Sequence, residues 1–474
     1  MLRATSLQAS LLYATAFFIP FQLFAIPLFG IGIEPSLVVL ILFMLVSIGI
    51  IILNGEISFS KPDKIEGILI LFAISVLISL LVNTRGSFDN LRPYLEYARL
   101  LLMISFFLFT KRFLEKHDYS ESVLKYFYYG MFVIALLGVW QFININSSLG
   151  ISFLSDWTWA THLNPSISGW GMAYDKMAYI GSINRAASFA HEPAHLALFL
   201  IGVSGISLLV LLRDLRFPNE KKITNLFFAF VILAAFIFTF SITGFLSFSV
   251  VVVAYIGISR NASFKFMLVL FFIVLPFYII TNIFLILPDI GQKISSVYTV
   301  FFCNDLSISG EAVSALTSML HTKITLLVLS DHPFWGVGIG RYIIGHSEYS
   351  PIAFQFFPSY PYDIVKMNAN DASSLLYRML SETGLVSTSV FAMFIILIFR
   401  QSLYRIGVLR ELISKDSYLV TLGLILSSIG YMISHFLRMG AYHYIEFWLL
   451  LAMVSSINHN RSFMTKFSLN REVL

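Results

Sequence analysis

Arg185, His191, Glu192 and His195 stand close together in residues 181–200, GSINRAASFAHEPAHLALFL, where the chain turns wholly apolar. An arginine fork binds phosphate oxygens, and a carboxylate or imidazole moves protons. Charge of both signs at the start of a membrane span is costly enough to mark a use. The same residues also spell the H-E-x-x-H pattern from His191 to His195. In zinc proteases its two histidines, one helical turn apart, hold the metal while the glutamate activates water. Pro193 opposes that geometry. Proline suits the first position of a helix but within one costs about 3 kcal/mol, so a helix starting at Pro193 leaves His191 off the face of His195. No third ligand is recognisable beside another span, and the expectation is a site without metal.

A second chemical stretch, residues 331–342 (DHPFWGVGIGRY), sets Gly336, Gly338 and Gly340 just before Arg341. An aromatic and proline-rich run follows at 349–362, then the segment 373–387. Apolar residues at helical spacing, Ile324, Leu327 and Val328, and again Leu375, Leu376, Met379 and Leu380, predict short helices against a membrane face.

Membrane helices must position these stretches. Of 474 residues, 58% are hydrophobic and only 12% charged, with a mean hydropathy of +0.82; soluble domains carry about twice that share of charge. Apolar runs of spanning length number about twelve, near 10–30, 34–53, 66–83, 96–110, 124–143, 193–212, 224–241, 243–258, 266–287, 383–399, 417–437 and 441–457. The predicted fold is all-α: one polytopic membrane domain over 1–474. The 224–258 pair, split only by residues 241–244, is the least secure division. With both termini cytoplasmic, the basic residues at 61–64, 111–125, 213–222, 260–265 and 400–415 and in the C-terminal tail all fall inside, in short loops, as the positive-inside rule requires. Two segments on the other side, 144–192 and 288–382, are too long for simple connectors and predict a partly helical extracytoplasmic subdomain. No cleavable signal peptide is predicted, since the apolar block after Ser10 is long enough to remain as a span. The single cysteine, Cys303, excludes an intrachain disulfide. The net charge of +5 is dispersed between apolar blocks, which argues against a nucleic-acid surface.

Taken together, these motifs carry a family resemblance. Residues 185–193, RAASFAHEP, followed by an apolar span, resemble the arginine and Glu-Pro pattern of O-antigen polymerases. Residues 332–340, HPFWGVGIG, are similar to the H-P-L-x-G-V-G-x-G segment of the O-antigen polymerase and ligase superfamily. Residues 381–386, SETGLV, are similar to its A-E-T-G-L-I. Ligases of the superfamily have a histidine nine residues before the glutamate of that last segment; here Ser373 and Ser374 stand there, which favours the polymerase type. The superfamily's arginine ahead of the H-P pair is also replaced, by Ser318, with His321 and Lys323 the nearest cations.

The resemblance implies an inner-membrane glycosyltransferase that polymerises undecaprenyl-diphosphate-linked repeat units on the periplasmic side, without cofactor or metal. A chain-length regulator is an implied partner. The alternatives are a ligase or protein O-oligosaccharyltransferase of the same superfamily, and a flippase for lipid-linked oligosaccharide, for which buried charge and many spans are also typical. Arg185 is the first choice and Arg341 the second for the diphosphate. Two roles fit Glu192: general base, or an ion pair with Arg185 that fixes the loop. His191, His195 and Arg438 are candidate substrate contacts, as are Gly338 and Gly340, which allow close backbone approach or tight packing. Glu382 fits a helix-start role, where exposed N–H groups favour a carboxylate. Trp157, Trp159 and Trp170 suit either sugar stacking or an interfacial aromatic belt.

Overall fold

The computed structural model describes residues 2–21, 26–28, 31–53, 62–84, 91–117, 119–147, 179–180, 183–188, 190, 193–212, 222–258, 313–355, 372, 374–412, 415–437 and 440–457. The predicted span at 266–287 and the tryptophans of the first long segment lie outside them. The described chain is helical: α1 (Leu2–Phe18), α2 (Pro35–Leu53), α3 (Lys64–Thr84), α4 (Arg92–Lys116), α5 (Ser120–Asn146), α6 (Pro193–Ile201), α7 (Ser204–Leu211), α8 (Lys222–Phe238), α9 (Ile242–Ile258), α10 (Val313–Asp331), α11 (Tyr342–Phe354), α12 (Leu375–Leu412), α13 (Lys415–Leu437) and α14 (Ile445–Ser456). Two minimal antiparallel hairpins, 26–28 with 31–33 and 179–180 with 183–184, complete it.

Among the described residues, five helices are long and apolar enough to cross a membrane, or six if the bent pair α6–α7 is counted as one span. This is a helical membrane protein. The other helices at predicted span positions either are shorter, as α8, α9 and α14 are, or carry charge, as α4 does at both ends. The doubtful 224–258 pair is two helices, divided by a turn at 239–241.

Side-chain patterns place the helices. On α2, Val38, Ile41, Leu42, Leu45 and Ile52 are exposed at helical spacing, the stripe a peripheral helix offers to lipid. Every residue of α14 is buried, as expected of a helix that is apolar on all sides but for Glu446 and its last two serines. It packs on α4, with α12 and α13 beside it.

The bundle has two unlike ends. At one, an ion network pins the start of α3 to the end of α4. The Lys111 ammonium, 1% exposed, lies 2.6 Å from Asp63 and 3.1 Å from both Glu66 and Glu115. Arg112 reaches Glu66 through two bonds, of 3.1 and 2.8 Å. Fork-to-fork pairing of this kind fixes geometry as well as charge. These are basic residues that the charge rule assigns to the cytoplasm. The opposite end, where α3 finishes and α4, α12 and α14 begin, gathers the residues with chemistry.

Candidate functional site

Pro193 is the first residue of α6, in the position its missing N–H suits. His195 therefore lies on the first helical turn, half-buried. Glu192, His191 and Arg438 fall outside the described residues. Arg185 is half-buried and docks on the turn between α8 and α9: its Nε donates to the Thr239 carbonyl at 2.7 Å and its Nη2 to that of Phe240 at 3.4 Å. The segment is held from a second side. The Ala186 N–H donates to Phe238 at 2.9 Å, and Gln141 Oε1 accepts from the N–H groups of Ala187 and Ser188 at 2.9 and 2.8 Å. Ser188 and Phe240 have φ of 52° and 45°. Non-glycine residues rarely adopt this region unless their surroundings over-determine it, a condition that clusters at functional sites.

The glycine stretch forms a second assembly, built by an exchange of backbone hydrogen bonds. Gly384 has φ 70° and ψ −173°, so the ladder of α12 is interrupted there. The N–H groups of Leu385 and Val386, which in a regular helix would return to Ser381 and Glu382, donate instead to the carbonyls of Pro333 and Phe334 at 2.9 and 3.4 Å. The vacated Ser381 and Glu382 carbonyls accept from Val337 and Gly338 at 2.9 and 2.7 Å. The loop is thus inserted into the helix, and no backbone group of the exchange is stranded. Ser79 on α3 closes the joint, its hydroxyl donating to Trp335 O at 2.6 Å and reaching Glu382 O at 3.2 Å. The glycines are required by conformation: φ is 59° at Gly336, 98° at Gly338 and 70° at Gly340. A Cβ on Gly336 would strike the Ser381 carbonyl, and one on Gly340 would lie 2.9 Å from Glu96 Cγ.

One expectation is sharpened here. Residues 375–383 form a helix that meets the following span at a kink at Gly384, where the inserted loop supplies the missing hydrogen bonds. Glu382 does sit at a helix N-terminus, but at that of α11, whose Tyr342 N–H donates to its Oε1 at 3.4 Å.

Around Glu382, 1% exposed, the structure collects residues far apart in sequence. Arg378, one turn earlier on the same face, pairs with its Oε1 at 3.5 Å, and the guanidinium lies 5.7 Å from the centre of the Tyr442 ring. Arg341 donates from its backbone to Gly338 at 3.1 Å and from its side chain to the Asn83 carbonyl. Gly338, Gly340 and Arg341 are therefore brought together with Glu382, whereas Arg185 docks elsewhere, on the α8–α9 turn. Beside them, His321, His346 and Tyr342 form a buried triangle with centroids 5.8, 5.8 and 6.1 Å apart. Burial pushes the His321 imidazole down to about 3, with His346 adding to the shift and the Ala372 backbone opposing it. Burial also lowers His346. Both rings are held neutral at neutral pH, so they supply no positive charge to a phosphate.

Sequence reasoning passed over Arg378, His346, Tyr342 and Tyr442. Arg378 had a signal, its i−4 spacing from Glu382; the others are joined only by the fold. Among the described residues no group of three or more His, Cys, Asp or Glu is arranged to hold a metal. The fold and this end of the bundle define a helical membrane protein with a buried, charge-bearing centre. No protein-family model matches the chain, and no curated protein is similar to it in sequence.

Proposed function

We propose that the chain is an inner-membrane glycosyltransferase of the O-antigen polymerase type. It transfers a glycan from undecaprenyl diphosphate to a hydroxyl of a second lipid-linked repeat unit on the periplasmic side. The observation that carries this reading is the exchange between residues 333–338 and 381–386. The two segments that resemble the superfamily are one structural unit, closed around the ion pair of Arg378 and Glu382.

In the reaction the acceptor oxygen attacks the anomeric carbon of the donor, and the bond from that carbon to the diphosphate oxygen breaks. The diphosphate leaves with the electron pair, and the acceptor proton passes to a base. Arginine suits the leaving group because it stays charged and its planar fork matches phosphate oxygens. Arg185, on the α8–α9 turn, is the first choice for that role, and Arg341, at the glycine loop, the second. Glu192 is the base.

Deletion of the gene tests the reading through surface polysaccharide on a gel. Single repeats capped on lipid A-core support a polymerase. Carrier-linked polymer that never reaches core would make it a ligase, and repeats stranded on the cytoplasmic face a flippase. Glu192→Ala should preserve expression and collapse the ladder to single repeats; a full ladder would remove Glu192 from the site.

A further inference from the structure

The end of the bundle opposite the glycine loop holds a cavity of about 540 Å³, lined by Asp63, Lys64 and Ile65 at the start of α3 and by Gln401, Tyr404 and Arg405 late in α12. Its depth follows from the helices. The described break in α12 is at Gly384, so a rise of 1.5 Å per residue sets Arg405 roughly 32 Å beyond that kink, about the thickness of a hydrocarbon core. α3 runs beside α12, joined to the kinked region at Ser79 and starting at Lys64. The cavity therefore opens at a membrane–water interface, on the side that the charge rule makes cytoplasmic.

Among the described residues, the unpaired charge in its wall is positive: neither Lys64 nor Arg405 enters an ion pair. Asp63 is the acid in the wall, and both its oxygens are engaged. Oδ1 accepts from the Glu66 N–H at 2.8 Å and Oδ2 from the buried Lys111 ammonium at 2.6 Å. Arg405 is half-buried, and its Nη1 donates to the Ile457 carbonyl at 3.4 Å. That bond steadies the guanidinium and leaves most of its five donors for an anion, and a guanidinium fork matches phosphate oxygens.

What leads away from the cavity toward the membrane centre is apolar. Tyr404 is 75% exposed, and Leu403, Ile396 and Met393 continue an exposed stripe at helical spacing back along α12. An acyl chain lies on such a stripe, whereas a soluble phosphate compound has no use for it. An exposed tyrosine beside basic residues marks the level of the headgroups, and basic pockets between helices on the cytoplasmic side hold anionic ones.

We propose that Lys64 and Arg405 hold the phosphate of one anionic phospholipid, such as phosphatidylglycerol, with Gln401 and Tyr404 against its headgroup and its chains along α12. The site uses none of the residues placed in the glycosyl-transfer chemistry, so the two readings stand or fall separately.

The test is native mass spectrometry of the full chain, released from detergent after titration with phosphatidylglycerol or phosphatidylcholine. One phosphatidylglycerol should stay bound at concentrations where phosphatidylcholine is lost. Lys64→Gln and Arg405→Gln should each weaken that retention by about fivefold, the share of one basic residue. Should Arg405→Gln fail to fold, Lys64→Gln decides the matter alone, because its side chain is exposed. Arg400→Gln is the control: this arginine is exposed on the same helix and does not line the cavity, and its loss should leave retention unchanged. Equal retention of the two lipids would overturn the proposal. So would an equal loss in Arg400→Gln, the mark of diffuse surface charge. Displacement of the lipid by inorganic phosphate would assign the cavity to a soluble phosphate compound and overturn the lipid.

Discussion

The backbone N–H of Gly338 donates to the carbonyl oxygen of Glu382 at 2.7 Å, in the place where a regular helix would have used the N–H of Val386. A loop that substitutes for a helix's own ladder cannot slide or be trimmed without stranding buried backbone groups. The charged pair of Arg378 and Glu382 is therefore set by backbone geometry and not by side-chain attraction alone.

Replacement of the hinge glycines should be destabilising. Gly384→Ala forces a side chain onto φ 70° and drives its Cβ into the Phe334 carbonyl. The forced backbone by itself costs about 1–3 kcal/mol. Gly407→Ala is the control: this glycine, later in the same helix, has nothing within 4 Å, and the change should stabilise by about 0.5–1 kcal/mol. Unfolding temperatures of the two variants should move in opposite directions.

Arg378→Ala should cost about 3–5 kcal/mol, because it leaves Glu382 buried without its cation. Glu382→Gln on its own leaves Arg378 beside the Tyr442 ring and should cost less. Combined, the two changes should fall well short of additive; a double-mutant cycle measures the shortfall. Additive losses would show that the pair does not interact.

Acid should weaken the fold through His321. Its native imidazole is pushed down to about 3 from an ordinary 6.5, so the unfolded chain binds a proton that the native site refuses. Stability is complete above about 6.5 and is lost as pH falls from there toward 3. His321→Gln should flatten that decline when unfolding is followed across the range. An unchanged slope would show that the ring is not held neutral.

Arg185→Lys separates anchoring from catalysis. Lysine keeps the charge but cannot bridge the carbonyls of Thr239 and Phe240 as the guanidinium does, and the loss of such bonds is worth about 1–3 kcal/mol. If Arg185 also contacts the diphosphate, polysaccharide length should fall further than a destabilising variant of equal unfolding temperature elsewhere in the chain can account for. A fall no greater than that reference assigns Arg185 to the scaffold.

The sequence by itself determined that this is a helical membrane chain and that Pro193 opens one of its helices, because apolar length and the missing proline N–H act locally. It also marked Gly338, Gly340, Arg341 and Glu382 as chemically unusual. What only the tertiary structure decided was which of these meet. The partner of Glu382 at the α11 terminus, the neutral pair of His321 and His346, and the enclosure of Glu446 against Gly202 at the α6–α7 break all depend on contacts between distant segments. Hydropathy cannot foresee such contacts: a lone glutamate beside an apolar run reads the same whether it faces water, an arginine or the break in a neighbouring helix. Its physical meaning comes from what surrounds it after packing.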